Sequence, residues 1–361
     1  MKKLIVLVLA MTLALSMFGC SPKTPAATDP SGAPATKEPA KTEELKVALV
    51  VNQKFGDKGP MDNLAAGAEK AAKDFGVTVK MLESSSASKF EEDVRAMAKD
   101  YDLVITTFPY MSDATKMVAA EYPDTKFAAV FQFVNDGKTN IPNIWDTEFH
   151  GEQAFYINGY IAGKLSKTGS VGMIVGAEEP TPNAEGNGFM QGVKAANPDA
   201  NVEFAFVGSY EDPAKAKEIA IAMIAKGCDV IQTDSGASNA GVVEACKDAG
   251  VLCSGEITDF YDSYDGFFGV VGIGFGDTAY KAIEALKDGK FPGGEHGIRG
   301  LDNGGYFLDW ATHERFAKNH ADYGETMTTA IEEAKALEAK IVSGELKIPF
   351  NTDVPNWANH K

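Results

Sequence analysis

Short apolar runs alternate along the chain with longer stretches whose apolar residues recur at helical spacing. The first run, 46–51, is continuously apolar after its first residue, as in a strand buried on both faces of a parallel sheet. Met61, Leu64 and Ala68 then fall on one face of a helix. The same alternation predicts further strands at 77–82, 103–106 and 127–131. The first part of the chain therefore predicts a βαβαβαβ unit.

The alternation starts again after an extended segment, 143–148, which reads as a crossing between two units. A helix is predicted at 152–164. Predicted strands follow at 171–175, 202–207, 230–232, 251–254 and 268–271, with helices at 189–196, 213–225 and 241–249. A helix at 277–288, an extended segment at 304–308 and a helix at 326–342 complete the chain. Strands joined by helix-length connections predict an α/β fold of two doubly wound parallel-sheet lobes joined by a hinge.

The pattern also predicts how the 361 residues divide. Residues 45–148, with about 276–305, are expected to form the first lobe, and 149–275 the second. Residues 306–361 read as a return segment and a C-terminal helix, and the pattern assigns them to neither lobe. Residues 1–20 and 21–44 read as a leader and a tether, because neither carries the alternation of the rest.

The leader has the order of an export signal. Lys2 and Lys3 precede an apolar stretch, 4–18, that is too short for a typical membrane-spanning helix. It ends in Met17–Cys20, which resembles a bacterial lipoprotein box in which Cys20 would carry the lipid. The alternative is an ordinary secretory signal with a chance cysteine. The tether is rich in Pro, Thr, Ala, Ser and Lys. We therefore expect a lipid-anchored protein on a bacterial cell membrane, facing outside the cytoplasm.

Charge and cysteine usage exclude some classes of partner. The formal net charge of −17 argues against a nucleic-acid partner and against electrostatic binding to anionic lipid. Cys228, Cys246 and Cys253 match no zinc-binding spacing. We interpret them as buried free thiols, with a Cys228–Cys253 bridge as the alternative.

Polar residues follow the predicted strands where a parallel sheet presents its carboxyl edge. The stretch 229–241 is a strand, a polar turn and a helix start, and 102–114 repeats this order earlier in the chain. Ligands bind at that edge in open α/β sheets. The predicted ligand-binding residues are Asn52, Phe55, Asp57, Phe108, Tyr110, Ser112, Gln132, Asp234, Ser235, Asn239, Glu256 and Asp259.

Each of these residues also has a structural alternative. Asp57 could merely favour the start of the next helix, and one of Asp234, Ser235 and Asn239 could cap a helix alongside binding. Phe108 and Tyr110 could pack within the lobe, and Gln132 could lie on the surface. Nearby, Tyr261 and Tyr264 are a further candidate stacking surface.

Catalysis is not expected from this sequence. The five histidines have no metal-ligand spacing, and neither a nucleophile elbow nor a phosphate-binding loop occurs. We therefore predict no enzyme activity, no cofactor and no metal.

Three segments, 160–172, 188–198 and 207–219, resemble the basic membrane protein (BMP) family of lipoproteins. The resemblance runs from about Lys46 to Pro349. It implies a type I periplasmic-binding-protein fold. It also implies a protein that delivers nucleosides to an ABC transporter. The ligand positions depart from the family. Asn52 stands for an Asp, the loop 57–61 lacks the family's stacking Phe, and a second stacking Phe is replaced around Glu185.

Two further positions differ from the family's ribose contacts. The resemblance places 255–259 on the segment that helps to hold ribose, so Glu256 and Asp259 would supply its acid. The expected Lys falls near Ile273.

These observations predict a lipid-anchored solute-binding protein that captures a nucleoside or purine-like molecule between its lobes and passes it to an ABC permease. We expect a monomer. The alternatives are a ligand-sensing receptor for a signalling partner, binding of a sugar or other polar solute, and a hydrolase on the same scaffold.

Overall fold

The computed structural model describes residues 44–56, 59–84, 86–138 and 140–360. The predicted leader, most of the tether, Cys20 and Asp57 lie outside these residues. Twelve strands occur in the described part, in two six-stranded sheets. They are β1 (Lys46–Val51), β2 (Thr78–Glu83), β3 (Leu103–Thr107), β4 (Lys126–Val130), β5 (Ile144–Phe149), β6 (Ser170–Val175), β7 (Asn201–Phe206), β8 (Val230–Asp234), β9 (Leu252–Glu256), β10 (Phe267–Ile273), β11 (His296–Arg299) and β12 (Tyr306–Leu308).

The first sheet has the strand order β11-β5-β4-β3-β1-β2, and all its neighbours are parallel. The second has the order β12-β10-β9-β8-β6-β7, and only β12 runs antiparallel to its neighbour. The central strands of both sheets are fully buried, because helices cover both of their faces. The predicted α/β fold of two parallel-sheet lobes is confirmed.

Ten α-helices occur in the described residues, of which the first eight lie between strands and the last two follow β12. They are α1 (Pro60–Phe75), α2 (Phe90–Ala98), α3 (Ser112–Glu121), α4 (Glu152–Leu165), α5 (Pro180–Ala196), α6 (Pro213–Ala225), α7 (Asn239–Ala249), α8 (Phe275–Lys287), α9 (Trp310–Asn319) and α10 (Gly324–Val342). Helix α8 packs on α1 and on the first sheet, whereas α4 packs on α5 and α10 beside the second.

The structure corrects the predicted elements in three places. The crossing segment 143–148 is a full strand of the first sheet, β5. Helix α5 begins at Pro180, nine residues before its predicted start at 189. Strand β11 and helix α9 were not predicted. Proline is well tolerated in the first turn of a helix, so the two prolines of α5 mark its start and do not interrupt it.

The chain crosses between the two sheets three times, between β5 and α4, between β10 and α8, and between β11 and β12. The crossings touch through their backbones. His150 N donates to Arg299 O at 2.9 Å, and Gly274 N donates to Gly305 O at 2.7 Å. A Cβ on Gly274 would lie 1.9 Å from Gly304 O, so this approach requires glycine.

Two further findings concern the cysteines and the membrane. Cys228, Cys246 and Cys253 are buried free thiols, as predicted. Among the described residues, no helix has both the length and the apolar character needed to span a bilayer.

Candidate functional site

Backbone strain marks the carboxyl ends of three strands. Phe108, Phe131 and Ile257 directly follow β3, β4 and β9, with φ angles of 62°, 56° and 60°. They are the non-glycine residues with positive φ in the described chain. Such conformations cost about 1–3 kcal/mol each and concentrate at binding sites, where the surrounding structure holds them. The strained positions therefore point to the sheet edges where the sequence predicts a ligand.

Three acidic side chains meet at the carboxyl edge of the second sheet. Asp234 ends β8, Glu256 ends β9, and Glu185 reaches them from α5. One carboxylate oxygen from each lies within 4.8 Å of the other two. Glu185 and Asp234 are buried and Glu256 is half-buried. We refer to these three residues as the acidic cluster.

The acidic cluster holds like charges without a cationic partner. None of the ion pairs found in the described parts of the chain involves Glu185, Asp234 or Glu256. Burial, and next the charge of Asp234, raises the pKa of Glu185 and of Glu256 well above the usual carboxyl range. The cluster is therefore primed to receive a proton or a positively charged group.

Tyr306 connects the acidic cluster to a series of aromatic rings that contact one another. Its hydroxyl donates to Glu185 Oε1 at 2.6 Å, and its ring centroid lies 6.2 Å from that of Phe149, at the end of β5. From Phe149 the ring contacts continue through Phe275 (4.8 Å) and Phe131 (6.1 Å) to Phe108 (5.7 Å). We call Phe108, Phe131, Phe149 and Phe275 the aromatic wall. It runs from the carboxyl edge of the first sheet to the acidic cluster on the second.

A second phenol lies near the acidic cluster. The ring of Tyr210 packs against Gly176, where a Cβ would come within 2.2 Å of it. Its hydroxyl donates to Glu179 Oε2 at 3.2 Å, and Glu179 directly precedes α5. Burial, followed by the charges of Asp234, Glu179 and Glu185, raises the pKa of Tyr210. Two acids, Glu179 and Glu185, thus lie at the first half of α5, and each accepts a hydrogen bond from a phenol, Tyr210 or Tyr306.

The predicted residues of the β8 loop have different surroundings. Asp234 belongs to the acidic cluster. Asn239 Oδ1 accepts hydrogen bonds from Ser235 N at 2.7 Å, Ser235 Oγ at 2.9 Å and Thr233 Oγ1 at 2.7 Å. The amide oxygen of Asn239 therefore holds the turn before α7 together and does not cap the helix.

Two predicted residues of the first lobe turn toward neighbouring strands. Asn52 Oδ1 accepts from Thr107 Oγ1 at 3.3 Å. Gln132 Nε2 donates to Thr106 Oγ1 at 2.8 Å, and Gln132 Oε1 is buried without a partner among the described residues. The side-chain oxygen of Gln132 is thus a hydrogen-bond acceptor at the carboxyl end of β4 that has no donor among the described residues.

The aromatic and hydroxyl residues predicted for the first lobe spread around the same edge. Phe55 is half-buried against the core, and Phe108 belongs to the aromatic wall. Tyr110 is 68% exposed, and Ser112 is the first residue of α3. Among them, Phe108 is the one that belongs to a contiguous set of aromatic rings.

Residues beyond β9 are engaged with one another. Asp259 forms an ion pair with Arg315 at 2.7 Å, and the same guanidinium lies 4.1 Å from the ring centroid of Tyr261. The Tyr264 hydroxyl donates to Val251 O at 2.6 Å. Asp259 is thus already paired with a cation, whereas Glu256 is not.

Sequence reasoning missed Tyr306 and Tyr210 and mentioned Glu185 only as a replaced phenylalanine. Tyr306 lies on β12, which joins the second sheet by an antiparallel pairing with distant β10. The sequence offered one signal for these tyrosines. Aromatic and acidic residues cluster near them, around turns to which no role had been assigned.

These features define a protein of the type I periplasmic solute-binding fold. A solute-binding protein of an ABC transporter system from Aeropyrum pernix K1 has a similar solved structure (TM-score 0.72, 22% identity, 87% of this chain and 96% of that one). A second, from Conexibacter woesei, gives a TM-score of 0.69 at 23% identity over 84% of this chain and 98% of that one. At these identities the similarity shows the fold alone.

The chain belongs to the Bmp family of PnrA-like ABC transporter substrate-binding proteins, whose family model matches residues 44–352. The ABC transporter nucleoside-binding protein BmpA of Lactococcus lactis subsp. cremoris is 30% identical over 342 residues, or 87% of this chain and 94% of that protein. Basic membrane protein A of Borreliella burgdorferi is 29% identical over 210 residues, or 58% of this chain and 61% of that protein. The match thus spans about three fifths of the latter's length. The predicted family is confirmed.

Proposed function

We propose that this protein is a lipid-anchored, extracytoplasmic solute-binding protein. It captures a small molecule, with a nucleoside or purine-like ring as the first candidate, in a cleft between the two lobes. It then delivers the molecule to an ABC permease and acts without catalysis or cofactor. The observation that carries the proposal is the aromatic wall, which leads from the strained carboxyl edge of the first sheet to the acidic cluster of the second.

Phe108 and Phe131 are the half-buried rings of the aromatic wall, so in this proposal they supply the flat apolar surface for a ring-shaped solute, backed by the buried Phe149 and Phe275. The stacking phenylalanines of the family are unmatched here, and Phe108 lies half-buried at the end of β3 with its ring against Phe131. In this proposal Phe108 and Tyr110 take over the stacking role. We retain Asn52, Phe55, Ser112 and Gln132 as candidate ligand contacts of the first lobe, and Asp234, Ser235, Asn239, Glu256 and Asp259 as those of the second.

Hinge closure provides the mechanism. The three crossings between the sheets lie side by side, so rotation about them would move one lobe against the other. A solute that touches both lobes only in the closed form shifts the population toward that form. The permease would then recognise the closed form. The proposal retains the predicted lobes. Residues 45–148 with about 276–305 form the first, and residues 149–275 form the second.

Ligand binding tests the proposal directly. Thermal-shift and calorimetric titrations with nucleosides, free bases and sugars should identify a class that stabilises the protein, by about 2.7 kcal/mol at a hundredfold excess over Kd. For a nucleoside ligand, Phe108→Ala should weaken binding at least tenfold. Phe133→Ala, at an exposed ring outside the aromatic wall, is the matched control. Equal binding by Phe108→Ala and the wild type would remove the stacking role.

The lipid anchor is tested separately. Cells that express the full chain should direct it to the detergent phase of a Triton X-114 extract, and Cys20→Ala should move it to the aqueous phase. Cys228→Ala, at a buried thiol, is the control. A Cys20→Ala protein that stays in the detergent phase would contradict lipidation at this residue.

A sensing role shares the same closure. In that case the closed form would contact a signalling protein in place of a permease. A pull-down of closed, ligand-bound protein with membrane extracts separates the two, because permease subunits or a receptor would be recovered.

A further inference from the structure

The acidic cluster sets a chemical requirement on the solute. We propose that the molecule bound in the cleft carries a protonated amine, and that Glu185, Asp234 and Glu256 hold this group between their carboxylates. The inference rests on the proposed function, since it adds a charged group to the solute already placed in the cleft.

The geometry suits an ammonium group. The three carboxylate oxygens lie within 4.8 Å of one another, which is the spacing at which one small cation contacts all three. An ammonium group has three N–H donors, and ionised carboxylates are acceptors only. The acceptors and donors therefore match in number.

The like charges of the cluster can be balanced by bound protons or by a cation from outside the protein, and a protonated amine supplies the cation together with N–H donors. Buried charges in proteins are paired or bind a cation, because an isolated charge loses its hydration without compensation. In the part of the chain that the structure describes, Arg and Lys side chains pair with other acids and none pairs with these three. Tyr306 donates one hydrogen bond to Glu185, which is neutral and leaves the charge uncompensated.

A fourth acid beside the cluster provides an independent sign of a missing partner. Glu152, the first residue of α4, is 1% exposed, and its Oε2 has no hydrogen-bond partner among the described residues. Its neighbour Gly151 lies against the carboxylate of Glu185, where an added Cβ would approach Glu185 Oε1 to 2.3 Å. The charge of Glu152 also acts on Glu185. An unpaired buried acceptor next to three clustered carboxylates points to a donor-rich ligand.

The aromatic wall favours an organic amine over a bare metal ion. Calcium takes six to eight oxygen ligands and magnesium an octahedron, whereas the cluster offers three acidic side chains. The hydroxyl of Tyr306 contacts Glu185 and its ring contacts the buried Phe149, which leads to the half-buried rings of Phe108 and Phe131. A positive charge joined to a flat organic body fits both surfaces, and aromatic faces add cation–π attraction.

Matched solutes that differ only in charge test this requirement. We would compare adenosine with 5′-amino-5′-deoxyadenosine, and 1,4-butanediol with putrescine, by isothermal titration calorimetry at pH 7.5. The amine of at least one pair should bind at least tenfold more tightly than its neutral partner. MgCl2, CaCl2 and MnCl2 form a third arm.

Isosteric variants locate the effect. Asp234→Asn and Glu256→Gln each remove one negative charge and keep the side-chain shape, so the preference for the amine should fall at least tenfold. Glu218→Gln, at an exposed acid on α6, is the matched control and should keep the preference. Because both cluster variants relieve repulsion between like charges, their thermal unfolding should occur at or above the wild-type temperature.

The contrary outcomes are distinct. Neutral members that bind as tightly as the amines overturn the amine requirement and leave the proposed function intact. Stabilisation by a divalent metal alone, or an amine preference unchanged in both cluster variants, also overturns it. If the wild-type protein binds none of these solutes and no nucleoside or sugar, both the inference and the proposed function fail.

Discussion

Tyr306 is the residue at which the two surfaces of the candidate site meet. Its hydroxyl contacts Glu185, its ring contacts Phe149, and its side chain is 1% exposed. Sequence reasoning found Asp234, because a polar residue at a strand end is a local feature. It missed Tyr306, since the position of this residue depends on an antiparallel pairing between β12 and β10.

Tyr306→Phe tests the buried hydrogen bond. The substitution keeps the ring and removes the donor to Glu185, so the free energy of unfolding at pH 7 should fall by about 1–3 kcal/mol. Tyr160→Phe is the control, because that hydroxyl donates to Glu333 at 2.9 Å in a part-buried pair nearer the solvent. Urea unfolding measures both. A Tyr306→Phe loss no larger than that of Tyr160→Phe would contradict the importance of this contact.

His313 predicts a pH dependence of stability. It is fully buried, its Nδ1 contacts Asp309 O at 2.8 Å and its Nε2 contacts Asn158 Oδ1 at 3.3 Å. Burial lowers the pKa of His313 to about 4. The unfolded chain, with a histidine pKa near 6.5, binds the proton more readily, so stability is complete above about pH 6.5 and falls as the pH drops toward 4.

The size of this effect is on the order of 3 kcal/mol between pH 7 and pH 4. Urea unfolding over this range should show a steeper decline for the wild type than for His313→Gln, which carries no titrating ring. His360→Gln, at the chain end, is the comparison. Parallel curves for the wild type and His313→Gln would show that His313 does not cause the decline.

At the scale of elements, the pair α4 and α5 positions Glu185. Their backbones touch through glycines, since a Cβ on Gly188 would lie 2.2 Å from Glu152 O and one on Gly192 would lie 1.9 Å from Tyr156 O. Apolar periodicity predicted α4 well but started α5 nine residues late, because its first half is rich in Pro, Asn and Gly. Strand β11 escaped prediction for a related reason. Its one aliphatic residue, Ile298, is exposed on an edge strand.

Gly192→Ala tests the close packing of α4 and α5. Alanine favours a helix by about 1 kcal/mol over glycine, but here the methyl group would meet the Tyr156 carbonyl and force the helices apart. We expect a net destabilisation of about 1–3 kcal/mol, measured by urea unfolding. Gly300→Ala is the control, since its methyl group would stay 3.5 Å or more from its neighbours. A stabilised Gly192→Ala protein would contradict this packing.

At the scale of the whole molecule, the repeated order of strand, polar turn and helix was enough to predict two parallel-sheet lobes. The pattern assigned 306–361 to neither lobe. In the structure, β12 joins the second sheet and α10 packs on α4. An antiparallel return strand of three residues has no periodicity of its own, so its partner is set by tertiary packing.

The bound molecule itself tests the central claim most directly. Native mass spectrometry of the full chain, purified without refolding from cells grown in rich medium, would show any solute that stays in the cleft. The account predicts one small organic molecule per chain, with a ring and a basic nitrogen, that is lost on Asp234→Asn. A protein that carries no solute as purified and binds no nucleoside, sugar or amine in titrations would contradict it.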